Sequence, residues 1–583
     1  MTGAGRALAL LVGVAGLTGQ ALLRPRLEAR QVEAGLVVAG AEQAGMSADV
    51  AVPVLALGAF RGLVVDYLWL RSISFRERGR VFEARQVAEQ ICRLQPRLPD
   101  VWAFLGHDLA YNVSAAVDDP QARWRWVQNG IELLRDQGLR YNPGDPDLCF
   151  MLARIFQDKL GTTTDDHHMV YKVLHADLMH RALGDTPLAD LAAAPTLEAL
   201  AAADPAARAL LAQLAAAGVE EPDNIVDLAG APDAPVSDDR GDDRGDAAPS
   251  GPRAHPAWPR VLVAARAHLL RQGQRLDPAR MLTLDRRYGP LDWRGCDAVS
   301  VYWADVGLEG ALRLRRHRDA YALRRTIHAA LKNAVRRGRI ERLGEKASFL
   351  AAMPELVFPV DGYLRDGIEE AAAVVRDLEP RAERGQLSDE DEVRLDAAAI
   401  FERNQRSARE GFLHEAIVLL AEFGRRDEAR RAHARARRDF PDAPLLQLDY
   451  DEFLLRVLAQ RFVDAGTFDT QTGMSQLLQG TWEDAFMALS SGQDDRYRGL
   501  EALARASQVR WERYVASLDE PDARARLGLR YEDIRRRAVR TAAGRLPLLL
   551  QERLAERLGV DREALLRGEL GRPPAQASPE RPR

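Results

Sequence analysis

The sequence has few cysteines and lacks the common catalytic motifs. Cys92, Cys149 and Cys296 lie far apart and fit neither a disulfide framework nor a CxxC metal or redox site. We expect each to be a small buried apolar residue. No Gly-rich phosphate loop and no G-x-S-x-G elbow occurs, and HEAIV at His414 has Val418 where a zinc-protease helix needs its second His. We therefore predict no enzyme, with no catalytic residue, cofactor or metal.

The sequence also lacks the alternating Val, Ile and Thr runs that are typical of strands. Apolar residues recur instead at spacings of three and four, as in Trp124, Val127, Ile131 and Leu134. This pattern predicts an all-α protein. The net charge is only -5, so the chain as a whole carries no argument for binding nucleic acid, which we disfavour as a partner.

The N-terminal segment, residues 1–24, differs from the rest of the chain. Residues 7–23 carry no charge, and seventeen residues are at the lower limit for crossing a bilayer. The segment fits a membrane anchor or a signal peptide cut after Ala21. We favour an uncleaved anchor with the bulk of the chain outside the cytoplasm, although Arg24, Arg26 and Arg30 favour the opposite orientation. A buried helix is the third interpretation.

Two later segments have compositions that do not form a core. Residues 219–257 are poor in large apolar side chains and contain DDRGDDRGD. Ten acids and two arginines lie between Glu220 and Asp246, so the segment reads as a disordered acidic linker. The C-terminal GRPPAQASPERPR, residues 571–583, reads as a disordered tail. The linker divides the chain into two helical parts.

One eighteen-residue pattern occurs twice, as GRVFEARQVAEQICRLQP from Gly79 and as GRRDEARRAHARARRDFP from Gly424. Each copy has a Gly for a tight turn, an Ala five residues later where a second helix must come close, and a Pro that ends that helix. This spacing resembles the tetratricopeptide repeat (TPR), a 34-residue helix–turn–helix, over about residues 65–98 and 410–443. The resemblance implies a helical-repeat solenoid with a concave binding face.

Several other stretches, namely GAFRGLVVDYLWLR, WAFLGHDLAYN, GLRYNPGDPDL, IFQDKLG and RRYGPLDWR, resemble those of a bacterial family of TPR-like proteins with an N-terminal hydrophobic segment. The similarity spans about residues 58–345. Family members have a His between GPLDWR and the next Tyr-Trp, whereas this chain has GCDAVSVYW. The resemblance therefore implies an architecture and no shared chemistry that depends on that His.

These patterns together predict a domain order. We expect an anchor or signal peptide over 1–24, a TPR-like block over 50–182, short Ala-rich helices over 183–218, a linker over 219–257, a second helical block over 258–460, further helices over 461–570 and a tail over 571–583.

The densest polar cluster is DDHHMVYKVLHADLMH, the stretch from Asp165 to His180. On a helix, Asp165, His168, Lys172 and His175 share one face, and a carboxylate with two imidazoles suits a metal. The Lys172 ammonium would repel a divalent cation, so we favour a polar outer face of a helix. A metal-dependent enzyme or cofactor protein using this cluster is the alternative function.

A second charged stretch runs from Arg313 to Arg342, with eleven Lys or Arg against two acids. Such a stretch could bind anionic lipid or nucleic acid. Only Tyr321 offers an aromatic platform for a base, so we favour arginines that meet acids from neighbouring helices or from the linker.

The function that fits these features best is a membrane-tethered scaffold. We expect its concave helical face to bind other proteins in an envelope-associated assembly and its N-terminal segment to hold it at the membrane. Lipid or nucleic-acid binding through Arg313–Arg342 is the other alternative.

Overall fold

The computed structural model describes Arg26, Arg30 and residues 61–230, 251–343, 347–463, 470–518 and 527–571. These residues are overwhelmingly helical, which confirms the all-α prediction. Two short strands, β1 (Arg339–Leu343) and β2 (Ala347–Ala351), pair in a two-stranded sheet that the helical periodicity did not predict.

The helices of six or more residues are joined by turns and loops of different lengths. In chain order they are α1 (Arg61–Glu77), α2 (Val81–Leu94), α3 (Pro99–His107), α4 (Pro120–Glu132), α5 (Pro146–Arg154), α6 (His168–Leu183), α7 (Leu188–Ala193), α8 (Leu197–Ala203), α9 (Pro205–Ala216), α10 (Pro222–Gly230), α11 (Trp258–His268), α12 (Pro278–Tyr288), α13 (Cys296–Arg313), α14 (His317–Arg337), α15 (Val357–Ala382), α16 (Asp389–Glu422), α17 (Arg426–Asp439), α18 (Tyr450–Phe462), α19 (Gln471–Ser490), α20 (Asp494–Ala516), α21 (Tyr531–Arg545), α22 (Leu548–Leu558) and α23 (Arg562–Arg567). Helices α3, α4, α5 and α11 continue as π-helix over Asp108–Val113, Leu133–Gly138, Ile155–Leu160 and Leu269–Gly273.

An Asp-Pro dipeptide begins four of these helices, α4, α5, α9 and α12. The Asp carboxylate accepts hydrogen bonds from backbone N–H groups of the first turn. The proline occupies the first helical position, where the backbone N–H would have no partner within the helix. At α5, for example, Asp145 Oδ1 accepts from the amides of Asp147 and Leu148 at 3.0 and 3.1 Å. The local sequence therefore sets where these helices begin.

Both copies of the eighteen-residue pattern form a helix–turn–helix with the same turn. Gly79 and Gly424 each have φ of 71°, in the left-handed region that favours glycine. The amide after each glycine donates to the carbonyl five residues before it, at 2.8 Å in both copies. Ala84 and Ala429 are buried in the second helices, α2 and α17. The pattern thus corresponds to one local structure used twice.

The same turn, a positive φ followed by an amide that donates to the carbonyl five residues back, also occurs at Gly218, Arg315, Gly385, Gly492, Gly559 and Gly568. Arg315 (φ 55°) lies between α13 and α14, and Gly492 (φ 80°) lies between α19 and α20. The next amides donate to Ala311 and Ala488, five residues back, at 2.9 Å. Arg315 adopts a conformation in which glycine is expected, so a search for glycine misses it.

The chain divides into two compact units. The first contains Met1–Ala334, Gly338–Ile340 and Glu369–Phe401, and the second contains Val335–Arg337, Glu341–Ile368 and Glu402–Arg583. This division differs from the predicted blocks 50–182 and 258–460, because the first unit includes residues on both sides of the predicted linker.

Helix α13 provides the physical reason for this difference, because it packs against α5. Ser300 Oγ of α13 donates to the Ala153 carbonyl at 2.9 Å. A Cβ on Gly307 would lie 2.7 Å from Cys149 Cβ, so the two helices meet through small residues. Helix α11 likewise packs against α6, α7, α8 and α9. Segments on either side of the linker therefore share one core.

The predicted linker, residues 219–257, is too wide. Helix α10 lies inside it and buries Ile225 and Val226, which the surrounding acidic and small residues obscured. Residues 231–250 lie outside the described residues, as do the apolar run 7–23 and residues 572–583 of the tail. Within the described parts of the chain, no helix combines the length and hydropathy that crossing a bilayer requires.

The three cysteines are free and buried, as predicted. Burial raises the pKa of Cys92 and of Cys296 to about 12, so neither thiol is a thiolate at neutral pH. Seven tryptophans are also buried among the described residues, namely Trp102, Trp124, Trp258, Trp293, Trp303, Trp482 and Trp511. Trp69 differs from these seven, because 37% of it is exposed.

Candidate binding groove

A groove of about 350 Å³ lies in the first unit, between α2, α3 and α4 with its π-helical continuation. It is lined by Arg85, Glu89, Cys92, Arg93, Trp102, Leu105, Leu109, Asn129, Glu132, Leu133 and Gln137. Its α2 wall belongs to the first of the two helix–turn–helix copies.

Helix α2 forms one wall of the groove. Arg85, Glu89 and Arg93 follow one another at intervals of four, which places them on one face of the helix. Arg85 Nε donates to Glu89 Oε1 at 2.8 Å, and its guanidinium lies 5.1 Å from the centre of the Trp126 ring. Both contacts fix the direction of the Arg85 side chain. The spacing of four predicts that these three residues share a face of α2, but not that this face lines a groove.

The floor of the groove is apolar and held in place. Trp102 and Leu105 are 3% and 0% exposed. Trp102 Nε1 donates to the Pro96 carbonyl at 2.9 Å, and its ring stacks on Tyr141 at 6.1 Å. Asn142 Nδ2 donates to the same carbonyl at 2.8 Å. The proline that ends α2 is thereby joined to the floor, so the groove is preformed.

Two glycines bring α3 and α4 together behind this floor. A Cβ on Gly130 would lie 2.8 Å from the Gly106 carbonyl oxygen, and a Cβ on Gly106 would lie 2.5 Å from Leu134 Cγ. Any larger residue would force the helices apart. The width of the groove therefore depends on small residues in helices that the linear sequence does not pair.

The rim of the groove carries both charges, with two arginines on α2 opposite Glu132 of α4, and two exposed amides, Asn129 and Gln137. An apolar floor with a mixed polar rim suits a segment of another protein that inserts an apolar side chain and pairs its own charges around it. The one potential nucleophile in the lining, Cys92, is a protonated thiol, which suits binding better than nucleophilic chemistry.

Asp165, from the predicted polar cluster, is buried in an ion pair. Its Oδ2 accepts from Lys159 Nζ at 2.5 Å and lies 3.5 Å from Arg123 Nη2, while Oδ1 accepts from the His167 amide at 2.9 Å. Burial alone would raise the pKa of Asp165, but these hydrogen bonds and the two positive charges hold it below its usual value. The carboxylate joins α6 to the π-helix after α5.

Two of the four histidines of the cluster, His168 and His175, have different surroundings. Lys172 Nζ lies 2.9 Å from His168 Nδ1 and donates to the Thr162 carbonyl at 3.0 Å. His175 is buried with its ring 5.3 Å from Phe156, and burial lowers its pKa to about 4. Asp165, His168 and His175 are not brought together as a ligand set, and no group of three such ligands occurs among the described residues.

The Arg313–Arg342 stretch pairs with acids from other helices. Arg316 Nη2 lies 2.8 Å from Asp147 Oδ2, and Arg324 Nη1 lies 2.7 Å from Glu370 Oε2. Arg336 forms an ion pair with Glu415. These contacts agree with the interpretation of this stretch as helix packing. The acidic residues 231–250, predicted as a further partner, lie outside the described residues.

The GPLDWR block forms a turn that Asp285 holds closed. Asp285 Oδ1 accepts from the Leu291 amide at 3.1 Å and from Trp293 Nε1 at 3.0 Å. Burial raises the pKa of Asp285 to about 6 although both hydrogen bonds oppose the rise. The hydrogen bonds of Asp285 thus close the turn between α12 and α13.

A smaller groove of about 200 Å³ lies in the second unit, lined by Val335, Arg336, Phe412, Glu415, Ala416, Leu419, Glu422, Arg461 and Arg496. Its charged groups pair with each other. Glu422 is 1% exposed and forms ion pairs with Arg461 and Arg496. Arg461 and Arg496 neutralise a buried carboxylate, whereas Arg85 and Glu89 of the first groove pair with 29 and 34% of their side chains exposed, so this groove is a weaker binding candidate than the first.

Comparison with known proteins gives no relative on which a function could be based. No family model matches the chain, and neither a curated protein nor a solved structure is significantly similar to it.

Proposed function

We propose that this chain is a membrane-tethered scaffold of TPR-like helical repeats that binds another protein in an envelope-associated assembly and catalyses no reaction. The N-terminal segment, residues 1–24, is the tether, with the bulk of the chain outside the cytoplasm. The groove between α2, α3 and α4 takes the place of the concave face expected from the sequence.

The observation that carries the proposal is the preformed groove beside the first helix–turn–helix. An apolar floor fixed by Trp102 and a rim of both charges are the features of a site that holds a protein segment by shape and a few anchors. The second copy of the eighteen-residue helix–turn–helix pattern, which begins at Gly424, supports a repeat architecture.

The two alternative functions have less support. The ammonium groups of Lys159 and Lys172 lie at Asp165 and His168, where a metal would need free ligands. Acids of neighbouring helices neutralise part of the Arg313–Arg342 stretch, which reduces its attraction for phosphates. We therefore advance neither a metal enzyme nor a nucleic-acid-binding protein.

Photocrosslinking tests the proposal in the full-length, membrane-bound chain. A benzophenone amino acid replaces Asn129 or Gln137 on the exposed rim of the groove, and in the control it replaces Glu198 on α8 of the same unit. We expect one partner protein to crosslink from both rim positions and not from position 198. The charge reversals Arg93→Glu and Glu132→Arg should weaken this crosslink about tenfold. Each reversal places a charge on the rim that repels the partner's side chain paired there in the wild-type complex.

Equal crosslinking from the rim and from position 198 would contradict the proposal, as would a partner whose capture is unaffected by both reversals. A stoichiometric metal in the purified, folded chain would instead favour the enzyme alternative.

A further inference from the structure

Helix α1 has apolar side chains on two opposite faces. Val65 and Leu68 are buried on the face that packs against α2. Leu63, Tyr67 and Leu70, at spacings of four and three, form a stripe on the other face and are 67, 62 and 68% exposed. A helix that is apolar on both sides is expected to have apolar material on both sides.

The exposed apolar surface is concentrated around this stripe. Twelve large apolar side chains are exposed among the described residues, and six of them lie between positions 63 and 82. Besides the stripe, they are Trp69, Ile73 and Phe82. Scattered exposed apolar residues are ordinary, but three exposed apolar side chains along one face of a helix mark a surface that something covers.

The composition of the patch and of its surroundings fits a membrane surface. Tyr67 and Trp69 are the side chains that collect at the boundary between headgroups and acyl chains. Arg71 on the same helix and Arg78 just after its end are exposed and would attract anionic headgroups, whereas Arg80 is paired with Glu83. Asp66 is exposed next to the stripe and has to stay at headgroup level, so the helix can lie on the bilayer but not enter it.

The sequence before α1 gives the second, independent reason. Sixty residues precede this helix and include the uncharged run 7–23, the proposed tether. A chain anchored by that run holds the next part of its sequence at high effective concentration near the bilayer. Weak attraction is then enough to keep α1 on the surface.

We propose that α1 lies on an anionic membrane surface, with Leu63, Tyr67 and Leu70 at the boundary between headgroups and acyl chains. This inference rests on the tether in the proposed function. The bilayer fixes the first unit close to its surface and thereby sets the orientation in which the groove meets a partner.

The test uses the full chain in vesicles of phosphatidylcholine with about 30% phosphatidylglycerol, an anionic composition that attracts basic surfaces. An environment-sensitive nitrobenzoxadiazole label is attached at Leu63→Cys or Leu70→Cys, and at Val509→Cys on α20 as the matched exposed control. The three native cysteines are buried and react slowly. Lipids with a spin label near the headgroup should quench positions 63 and 70 at least about twofold and leave position 509 unchanged.

A further substitution checks that the stripe acts as a unit. Tyr67→Asp should remove the quenching at position 70 while the chain still floats with the vesicles. The quenching at positions 63 and 70 should also be weaker in vesicles without phosphatidylglycerol, because the arginines then have no anionic lipid to pair with.

Each other result overturns the inference. If the chain floats but positions 63 and 70 are not quenched, the surface contact is wrong and the tether stands. If the labels at positions 63 and 70 are shielded from water only to the extent that the protein concentration is raised, a second copy of the chain covers the stripe. If the chain does not float, the tether of the proposed function fails as well.

Discussion

Replacing Arg409 with methionine is expected to destabilise the second unit by about 3–5 kcal/mol, the cost of leaving a buried charge without its partner. Arg409 Nε donates to Asp361 Oδ1 at 2.7 Å, and its Nη2 donates to Asp439 Oδ2 at 2.6 Å. Asp361 is 2% exposed, so water cannot replace the guanidinium. Arg435, with Nη1 at 3.2 Å from Asp361 Oδ2, compensates only in part.

The size of the effect follows from burial rather than from the number of ion pairs. Arg409 links α15, α16 and the end of α17 through a single side chain. Methionine keeps much of the apolar packing of the Arg409 side chain and removes its charge. The loss of stability therefore measures the cost of leaving the Asp361 carboxylate unpaired. Adding Asp361→Asn to Arg409→Met should recover at least half of the stability, because the uncompensated charge is then gone.

Hydrogen exchange of the full chain, read by mass spectrometry on peptides from α15, α16 and α17, measures the loss locally. A change of 3–5 kcal/mol corresponds to faster exchange by a factor of about a hundred to several thousand. The control is Arg498→Met, which breaks an ion pair with Asp495 whose side chains are 70 and 77% exposed, and it should change exchange less than about fivefold. Equal effects of the two substitutions would show that Asp361 is not held in a buried ion pair.

Replacing Gly310 with alanine is expected to destabilise the first unit by about 2 kcal/mol, as overpacking of a tight contact does. The new Cβ would overlap the Gly144 carbonyl oxygen, an atom of the backbone that cannot move aside as a side chain can. Helix α13 would then have to shift away from the start of α5. The residues after the predicted linker would lose part of their contact with those before it.

The same substitution at Gly411 is the matched control. Gly411 lies in helix α16 with nothing within 4 Å of its Cβ position. Alanine there should stabilise the helix by about 1 kcal/mol, because it restricts the unfolded chain without meeting a neighbour. Exchange of peptides from α5 and α13 should rise in Gly310→Ala and stay unchanged in Gly411→Ala. Stabilisation by both substitutions would mean that α13 does not pack closely on the start of α5.

Local features of the fold were readable from the sequence. Asp-Pro dipeptides mark the starts of four helices, and the turn at Gly79 and Gly424 follows from glycine, the alanine five residues on and the terminal proline. These signals work because the interactions that they describe span fewer than about twenty residues. The all-α class follows from the same short-range periodicity.

The long-range pairings were not readable. Nothing in the sequence around Ser300 or Gly310 indicates that α13 packs on α5, about 150 residues earlier, so the sequence did not predict that residues on the two sides of the linker share one core. Arg315 adopts a left-handed conformation without the glycine that would announce it. In both cases the local sequence is compatible with more than one arrangement, and tertiary packing determines which one forms.

The candidate groove shows both situations. Arg85, Glu89 and Arg93 could be placed on one face of α2 from their spacing. That this face lies opposite Glu132 and Gln137 depends on the contact between Gly106 and Gly130, two ordinary helical glycines in the sequence. The metal hypothesis for Asp165, His168 and His175 rested on helical spacing alone. That spacing does not reveal the ion pair between Asp165 and Lys159, which depends on tertiary packing.

The measurement that tests the central claim most directly is hydrogen exchange of the full chain alone and in complex with the protein that crosslinks from position 129. Binding in the groove predicts slower exchange in α2, in α3 and in the π-helix after α4, with α20 unchanged. Slower exchange confined to the second unit, or unchanged exchange in α2 and α3 with the partner bound, would contradict the claim that this groove holds another protein.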